Sequence, residues 1–421
     1  MSTRPFVAGL ALVCVTTGLA ACTDAGGAPV TPATLTGPAE VLSLRTAEGP
    51  VTIDVRTGRV LVRATGAVPQ ADWSELFLAD PDGHGTVLRT VDPSTGADAS
   101  SVPLRGSLGI RAVASDGSKV ALMAPPPAGT DPWTPVPRTT TRIVVADPTG
   151  ATDPATYRLH GNLEPEAFSD DGEFLFVIQY LPAAAPSLYR VAALELEDGD
   201  VYPVIGRFKT WARRMPGTRL EQVLAPDSRQ LYTLYSSQPS AYAAGYGAQG
   251  SADRPVAFVH VLNLVDRWAF CLPLPRRLWD APAGEQAMAA SLDGSRLYVV
   301  DPSRDTVAVV GARSTKVLET AMVDFATDDT AHAAAAVSPD GATLYVGTGE
   351  GVVAVDTATL DVRFRWPTQT PVEALATSVD GAVVYAAFAD RIDVMDPSTG
   401  AVRGSIPVDG ALAIEHVAPA A

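Results

Sequence analysis

The stretch "SPDGATLYVGTGEGVVAVDTATLDVRFRW", Ser338 to Trp366, decides how the rest of the chain is read. It opens on an Asp-Gly turn, runs into an apolar strand around "LYV", turns through glycines, continues as the Val-rich run "VVAVD", turns again at "TATL" and ends on an alternating strand. Asp, Gly, Pro and Ser at the punctuation points are turn residues, and the β-branched runs between them are strand residues. The unit recurs in order around "SLDGSRLYV" at Ser291 and "SVDGAVVYA" at Ser378. With a small-residue strand before each Asp-Gly turn, it amounts to four short strands in about 40 to 47 residues, the period of a propeller blade.

The same unit continues upstream through "AVASDGSKVALM" at Ala112, "EAFSDDGEFLFVI" at Glu166, "VLAPDSRQLYTLY" at Val223 and, more faintly, "AVPQADWSELFLA" at Ala67. The turn aspartates are Asp72, Asp116, Asp171, Asp227, Asp293, Asp340 and Asp380, which gives seven repeats. Val41 to Ala64 lines up with the last three strands of a unit, and Gly410 to Ala420 reads as the missing first strand. The expectation is an all-β chain forming one β-propeller over residues 41–421, with eight four-stranded blades, the last closed by both termini. Seven blades is the alternative, if the N-terminal strands only extend the first blade. The hexapeptide "DPSTGA", at Asp92 and again at Asp396, is the turn between third and fourth strands in the first and last complete blades.

These repeats resemble the YVTN and WD40-like bacterial β-propellers, "SPDGATLYV" being the closest fit to the Ser-Pro-Asp-Gly signature of that family. The resemblance implies the fold; the architecture hosts lactonases, redox enzymes and interaction scaffolds alike, so function must come from sites.

Residues 1–21 read as an export leader: Arg4 precedes the apolar run "FVAGLALVCVTTGLAA", too short and small-residue-rich for a membrane span. It ends "LAAC", and Leu19 to Cys22 resembles the lipobox of bacterial lipoproteins, which implies cleavage before Cys22 and lipid on its thiol. Residues 22–40, rich in Gly, Pro, Thr and Ala, then form a flexible tether. The expected location is the outer side of the bacterial cell membrane, held by the lipid alone. Cys14 leaves with the leader and Cys22 carries lipid, so Cys271 is the one thiol of the mature fold, expected as a buried small hydrophobe. The formal charge is -16, and loss of Arg4 makes the mature chain one unit more acidic. Such a field excludes nucleic acid as a natural partner. A monomer is expected.

In a four-stranded blade the loop between strands two and three and the connection to the next blade share one face, here the loop face. The Asp-Gly turns and "DPSTGA" lie on the opposite turn face. Insertions expected on the loop face begin at Ala124, Gly206, Ser236 and Pro275. The last three gather Arg207, Lys209, Arg213, Arg214, Arg219, Arg254, Arg276 and Arg277, with Trp211, Tyr242, Tyr246 and Trp279, around the Asp227 blade. This reversal of sign on an acidic chain suits an anionic ligand or an acidic protein surface; pairing of the arginines with nearby carboxylates is the plainer reading. A second constellation, Glu166, Glu221, Glu285, His332 and Glu373, sits at or just before the innermost strands. Carboxylates at a channel mouth serve acid-base work or hold Ca²⁺, the one cofactor the sequence admits, and no resident metal site is assigned.

"GYGAQG" at Gly245 lacks the flanking strand and helix of a dinucleotide site, and no hydrolase, zinc or haem motif is present. His84, His160, His260 and His416 are scattered without ligand spacing and are expected mostly at surfaces and edges. The reading that follows is an exported, tethered propeller acting as a ligand- or protein-binding module. A lactonase-like hydrolase using the channel-mouth residues is the alternative, and a structural repeat protein without a small-molecule site is a further one.

Overall fold

The computed structural model describes residues 38–127, 135–207, 215–216, 221–238, 256–279, 281, 284–327 and 333–420. Cys22, Lys209, Trp211, Arg213, Arg214, Arg219, Tyr242, Tyr246, Arg254, His332 and the "GYGAQG" run lie outside the described residues. Eight sheets follow one another along the chain, each with the strand order expected of a blade. Blades 1 to 7 begin with the innermost strands Val68–Pro69, Gly109–Val113, Asn162–Phe168, Glu221–Leu224, Ala287–Ala290, Ala334–Val337 and Ala374–Thr377. Blade 8 is closed by both ends of the fold: Ala411–Pro419 is its innermost strand and pairs antiparallel with Glu40–Thr46, followed by Gly49–Asp54 and Arg59–Arg63. The ring therefore has eight blades, and the seven-blade alternative is excluded.

The repeated turns explain why the repeats are legible. In all seven aspartate turns the carboxylate accepts the backbone N–H two residues on, from 2.9 Å at Asp293 to 3.1 Å at Asp227. Where the repeat reads Ser-x-Asp, as at Ser291 and Ser378, the serine hydroxyl donates to the aspartate and accepts the N–H that opens the second strand. The residue after the aspartate is left-handed, which suits Gly at five turns; Trp73 and Ser228 take the same conformation in blades 1 and 4. Both "DPSTGA" turns join third and fourth strands, with Asp92 and Asp396 each accepting N–H bonds from the Ser and Thr that follow.

The core is divided into layers between neighbouring blades rather than gathered at one centre. Among the described residues seven buried apolar clusters seal the ring, the largest joining blades 3, 4 and 5 through Tyr235, Phe258, Leu234 and Leu278. Each sheet thus packs face to face on the next. Innermost strands of blades 5 to 7 are nearly all alanine and other small side chains, which fits the narrowing of the ring toward its axis. Cys271 is buried within the largest cluster, its Sγ 3.3 Å from Met215 Sδ. Among the described residues no helix is long and apolar enough to cross a membrane.

One insertion departs from its expected place. After blade 3 the chain does not stay on the loop face: Ile205–Gly206 pairs parallel with the start of the outer strand Trp268–Pro273 of blade 4, at its turn-face end. Met215–Pro216 then adds to the third strand of blade 3 at the other end, beside Leu188 and Tyr189. Unfilled edge hydrogen bonds on two neighbouring blades take up these two short pieces.

Candidate functional site

Three of the eight innermost strands carry β-bulges, and in each of them one bulge falls on a charged residue; blade 8 has a second irregularity, at Leu412. Arg111 is the extra residue between Ile110 and Ala112 in blade 2, Glu166 the one between Pro165 and Ala167 in blade 3, and Glu415 the one between Ile414 and His416 in blade 8. A bulge turns one side chain off the regular alternation. The innermost strands of blades 4 to 7 pair without interruption.

The bulged residues organise a polar wall on the channel strands. Arg111 Nε lies 2.8 Å from Glu164 Oε1 as an ion pair without hydrogen-bond alignment, and its Nη2 donates to the Ala124 carbonyl at 3.2 Å. Arg138 Nη2 holds the other Glu164 oxygen at 3.1 Å, so one carboxylate sits between two guanidiniums. Glu166 accepts from Gln222 Nε2 at 2.7 Å, which ties blade 3 to blade 4. Glu415 takes Arg45 Nε at 2.7 Å.

Next to Gln222 stands Glu221, the first residue of the innermost strand of blade 4. Its carboxyl takes the backbone N–H of Met288 in blade 5, while Oε2 is shielded from solvent without a hydrogen-bond partner among the described residues. Burial pushes this carboxyl up to about 8, against the pull of the Met288 N–H and the Arg45 charge. At neutral pH it is mostly the protonated acid, able to donate a hydrogen bond or a proton.

The other sequence-derived carboxylates have different settings. Glu285 is buried, accepting from Ser303 Oγ at 3.2 Å and Arg304 at 3.1 Å; the same guanidinium group binds the fully buried Asp301. That cluster anchors the Pro302–Arg304 turn of blade 5. Glu373 is half-buried immediately before the innermost strand of blade 7. Among the described residues no group of three or more His, Cys, Asp or Glu is arranged to hold a metal ion.

The described members of the Arg and aromatic group are not brought together. Arg207 lies over the Trp268 ring at 4.7 Å and donates to Arg313 O and Thr315 Oγ1, both at 3.0 Å, in a turn of blade 5. Arg276 and Arg277 are exposed at the opposite end of the strand that Trp268 begins. Trp279 is buried at 8% exposure with its indole N–H on the Leu274 carbonyl at 2.6 Å, so it packs the blade top and offers Arg276 one ring face, 5.6 Å away. Of the histidines expected at surfaces and edges, His260 is buried in blade 4 and His416 stacks on Trp73 at 6.5 Å.

Sequence reasoning reached Glu166 and Glu221 but missed Arg111, Arg138, Glu164, Gln222, Arg45 and Glu415. The available signal was the interruption of small-residue inner strands by charge, as in "GIRAV" and "NLEPEAF".

Ring closure and eight sheets, each built on a four-stranded blade, define an eight-bladed β-propeller. The chain is similar in structure to apo AztD from Citrobacter koseri, with 12% identity over 88% of this chain and 95% of that one and a TM-score of 0.51. It is similar also to dihydro-heme d1 dehydrogenase NirN in complex with DHE, with 14% identity over 91% of this chain and 76% of that one and a TM-score of 0.50. No protein-family model and no curated protein sequence matches it. At such identities the likeness concerns the fold.

Proposed function

We propose that this protein is an exported, lipid-anchored β-propeller of the YVTN/WD40-like kind that serves as a binding module, with its ligand taken at the loop-face mouth of the channel. The observation that carries the reading is the placement of three charged residues, Arg111, Glu166 and Glu415, at bulges of innermost strands. Strand irregularities of this type are kept where a side chain must be aimed. The leader, the lipobox at Cys22 and the tether support a location outside the cell membrane. Arg276 and Arg277, exposed on the loop face, extend the surface an anionic ligand or acidic partner would meet. The test is crosslinking and pull-down from intact cells with wild type, Arg111→Gln, Glu166→Gln and Cys22→Ala. The module reading expects specific partners or ligands lost in the channel variants, and membrane retention lost in Cys22→Ala; an unchanged capture profile refutes it.

A second reading, lactonase-like hydrolysis, is favoured by Glu221, a carboxyl held protonated near neutral pH on the inner strand of blade 4, next in sequence to the Gln222 that binds Glu166 of blade 3. Turnover of a lactone panel that disappears in Glu221→Gln would establish it, and no turnover in the wild type would remove it.

A further inference from the structure

On the outside of the ring a cavity of about 310 Å³ opens between the outermost strand of blade 2 and the sheet of blade 3. Arg158 and His160 come from blade 2, Gln179 and Arg190 from the second and third strands of blade 3, and Gly199 and Pro203 close the far end. No carboxylate lines it. Arg190 Nε donates to Gln179 Oε1 at 2.7 Å, a bond that fixes the guanidinium plane and leaves its Nη groups for another partner. Neither Arg158 nor Arg190 has an ion-pair partner among the described residues, in contrast to Arg111 and Arg138, which share Glu164. Acidic Glu195, Glu197, Asp198 and Asp200 surround Gly199 in the turn at the far end, which leaves the arginine end as the one suited to an anion.

We propose that this inter-blade cavity is a binding site for a small soluble anion, a phosphate or carboxylate group, gripped by Arg158 and Arg190. Two guanidiniums without a carboxylate, one held in orientation by a neutral amide, present the fork geometry that pairs with tetrahedral or planar oxyanions. On a chain with a formal charge of -16 the site is a local inversion of field, which selects small anions able to enter a concave surface. Gln179 adds its amide N–H₂ beside Arg190, and exposed His160 lines the same wall. The cavity is lined mainly by the outer strand of blade 2 and the middle and outer strands of blade 3, reaching the innermost strand at Leu163, and the proposal does not depend on the channel reading.

The experiment is isothermal titration of the purified protein with inorganic phosphate and, separately, succinate, at constant ionic strength set with sodium chloride. The proposal expects saturable one-site binding with a dissociation constant at or below about 1 mM for at least one of the two. Arg158→Gln and Arg190→Gln should each weaken it about tenfold or more, the scale of one charge-assisted contact, whereas Arg56→Gln, an exposed arginine of blade 8, leaves it unchanged. Melting curves of the Gln variants verify that they fold. Absence of saturable binding, or binding indifferent to the double variant Arg158→Gln/Arg190→Gln, overturns the assignment.

Discussion

Closure of the ring turns on one carboxylate, and its removal has a size that can be worked out. Glu40, the first residue of the strand that pairs with Ala411–Pro419, is only 4% exposed. Its Oε1 accepts the Val379 N–H at 2.8 Å and its Oε2 the Tyr385 hydroxyl at 2.6 Å, both from blade 7. Burial, and after it the Glu40 carboxylate, raises the Tyr385 hydroxyl far above its ordinary value, so it stays a donor throughout the accessible pH range. Glu40→Ala strands both donors in a buried setting, at about 1.5–2.5 kcal/mol for each bond to a charged group, or roughly 3–5 kcal/mol together. A fold of about 380 residues unfolds with an entropy near 0.8 kcal/mol/K, so each kcal/mol moves Tm by about 1.2 °C and the variant should melt about 4–6 °C lower. Tyr385→Phe alone should cost about half of that. The double variant Glu40→Ala/Tyr385→Phe should melt no lower than Glu40→Ala, because the orphaned hydroxyl is gone, giving a coupling of about 1.5 kcal/mol or more. Scanning calorimetry at pH 7 on the four proteins completes the cycle. A Glu40→Ala shift below about 1 °C, with Tyr385→Phe costing the same in either background, would refute the clamp.

The twin "DPSTGA" turns offer an internal comparison: an alanine Cβ at left-handed Gly400 would meet Trp366 Cγ at 2.2 Å, whereas at Gly96 it would meet only Val62 Cγ2 at 3.4 Å. Gly96→Ala should therefore cost about 1–2 kcal/mol, from backbone strain alone, and Gly400→Ala clearly more, as chemical denaturation of the two variants will measure. Because the folded Glu221 titrates near 8 and its unfolded form near 4.5, the native state holds the extra proton between those values and stability falls as pH rises through that window. Glu221→Gln should stabilise the protein by on the order of a few kcal/mol at pH 8 and by little at pH 4.5, and equal effects at both pH values would contradict the assignment. Asp293 has the opposite sign: the Ser291 hydroxyl first, and the Ser295 N–H next, bring it down to about 2. Its contribution is present above the unfolded value of 3.8 and is lost as pH falls toward 2, so Asp293→Ala should flatten the acid limb of the stability profile.

What could be read beforehand was whatever the blades repeat. Asp-Gly turns recur because every blade needs one left-handed residue after one N–H acceptor at the same point, and the seven aspartates meet that need with the same bond. The closing of blade 8 was readable for the same reason: Val41 to Ala64 lacks a first strand, Gly410 to Ala420 lacks the other three, and an open ring would leave two bare edges. The Arg and aromatic grouping rested on nearness along loops, which does not fix direction. Trp279 went into the blade top because its indole N–H had a carbonyl to meet, and Arg207 was carried to the turn face because Ile205 and Gly206 had an empty strand edge to fill.

The channel wall shows most clearly where pattern reading stops. A bulge is a slip of one residue, and in inner strands of two to nine residues it leaves no break in an alternation that is already short. At Arg111, Glu166 and Glu415 the slip decides whether a charge is aimed by a bulge or continues the alternation of a regular strand. The repeat fixes eight near-equivalent strands around an axis, and equivalence alone gives a ring of alanines such as blades 5 to 7 present. That symmetry is broken on the inside of blades 2, 3 and 8, and the half-buried Glu221, with one carboxyl oxygen shielded, stands on blade 4. The proposed binding at the channel mouth predicts that substitutions on the alanine arc of blades 5 to 7 leave ligand capture intact, while those at Arg111 and Glu166 do not.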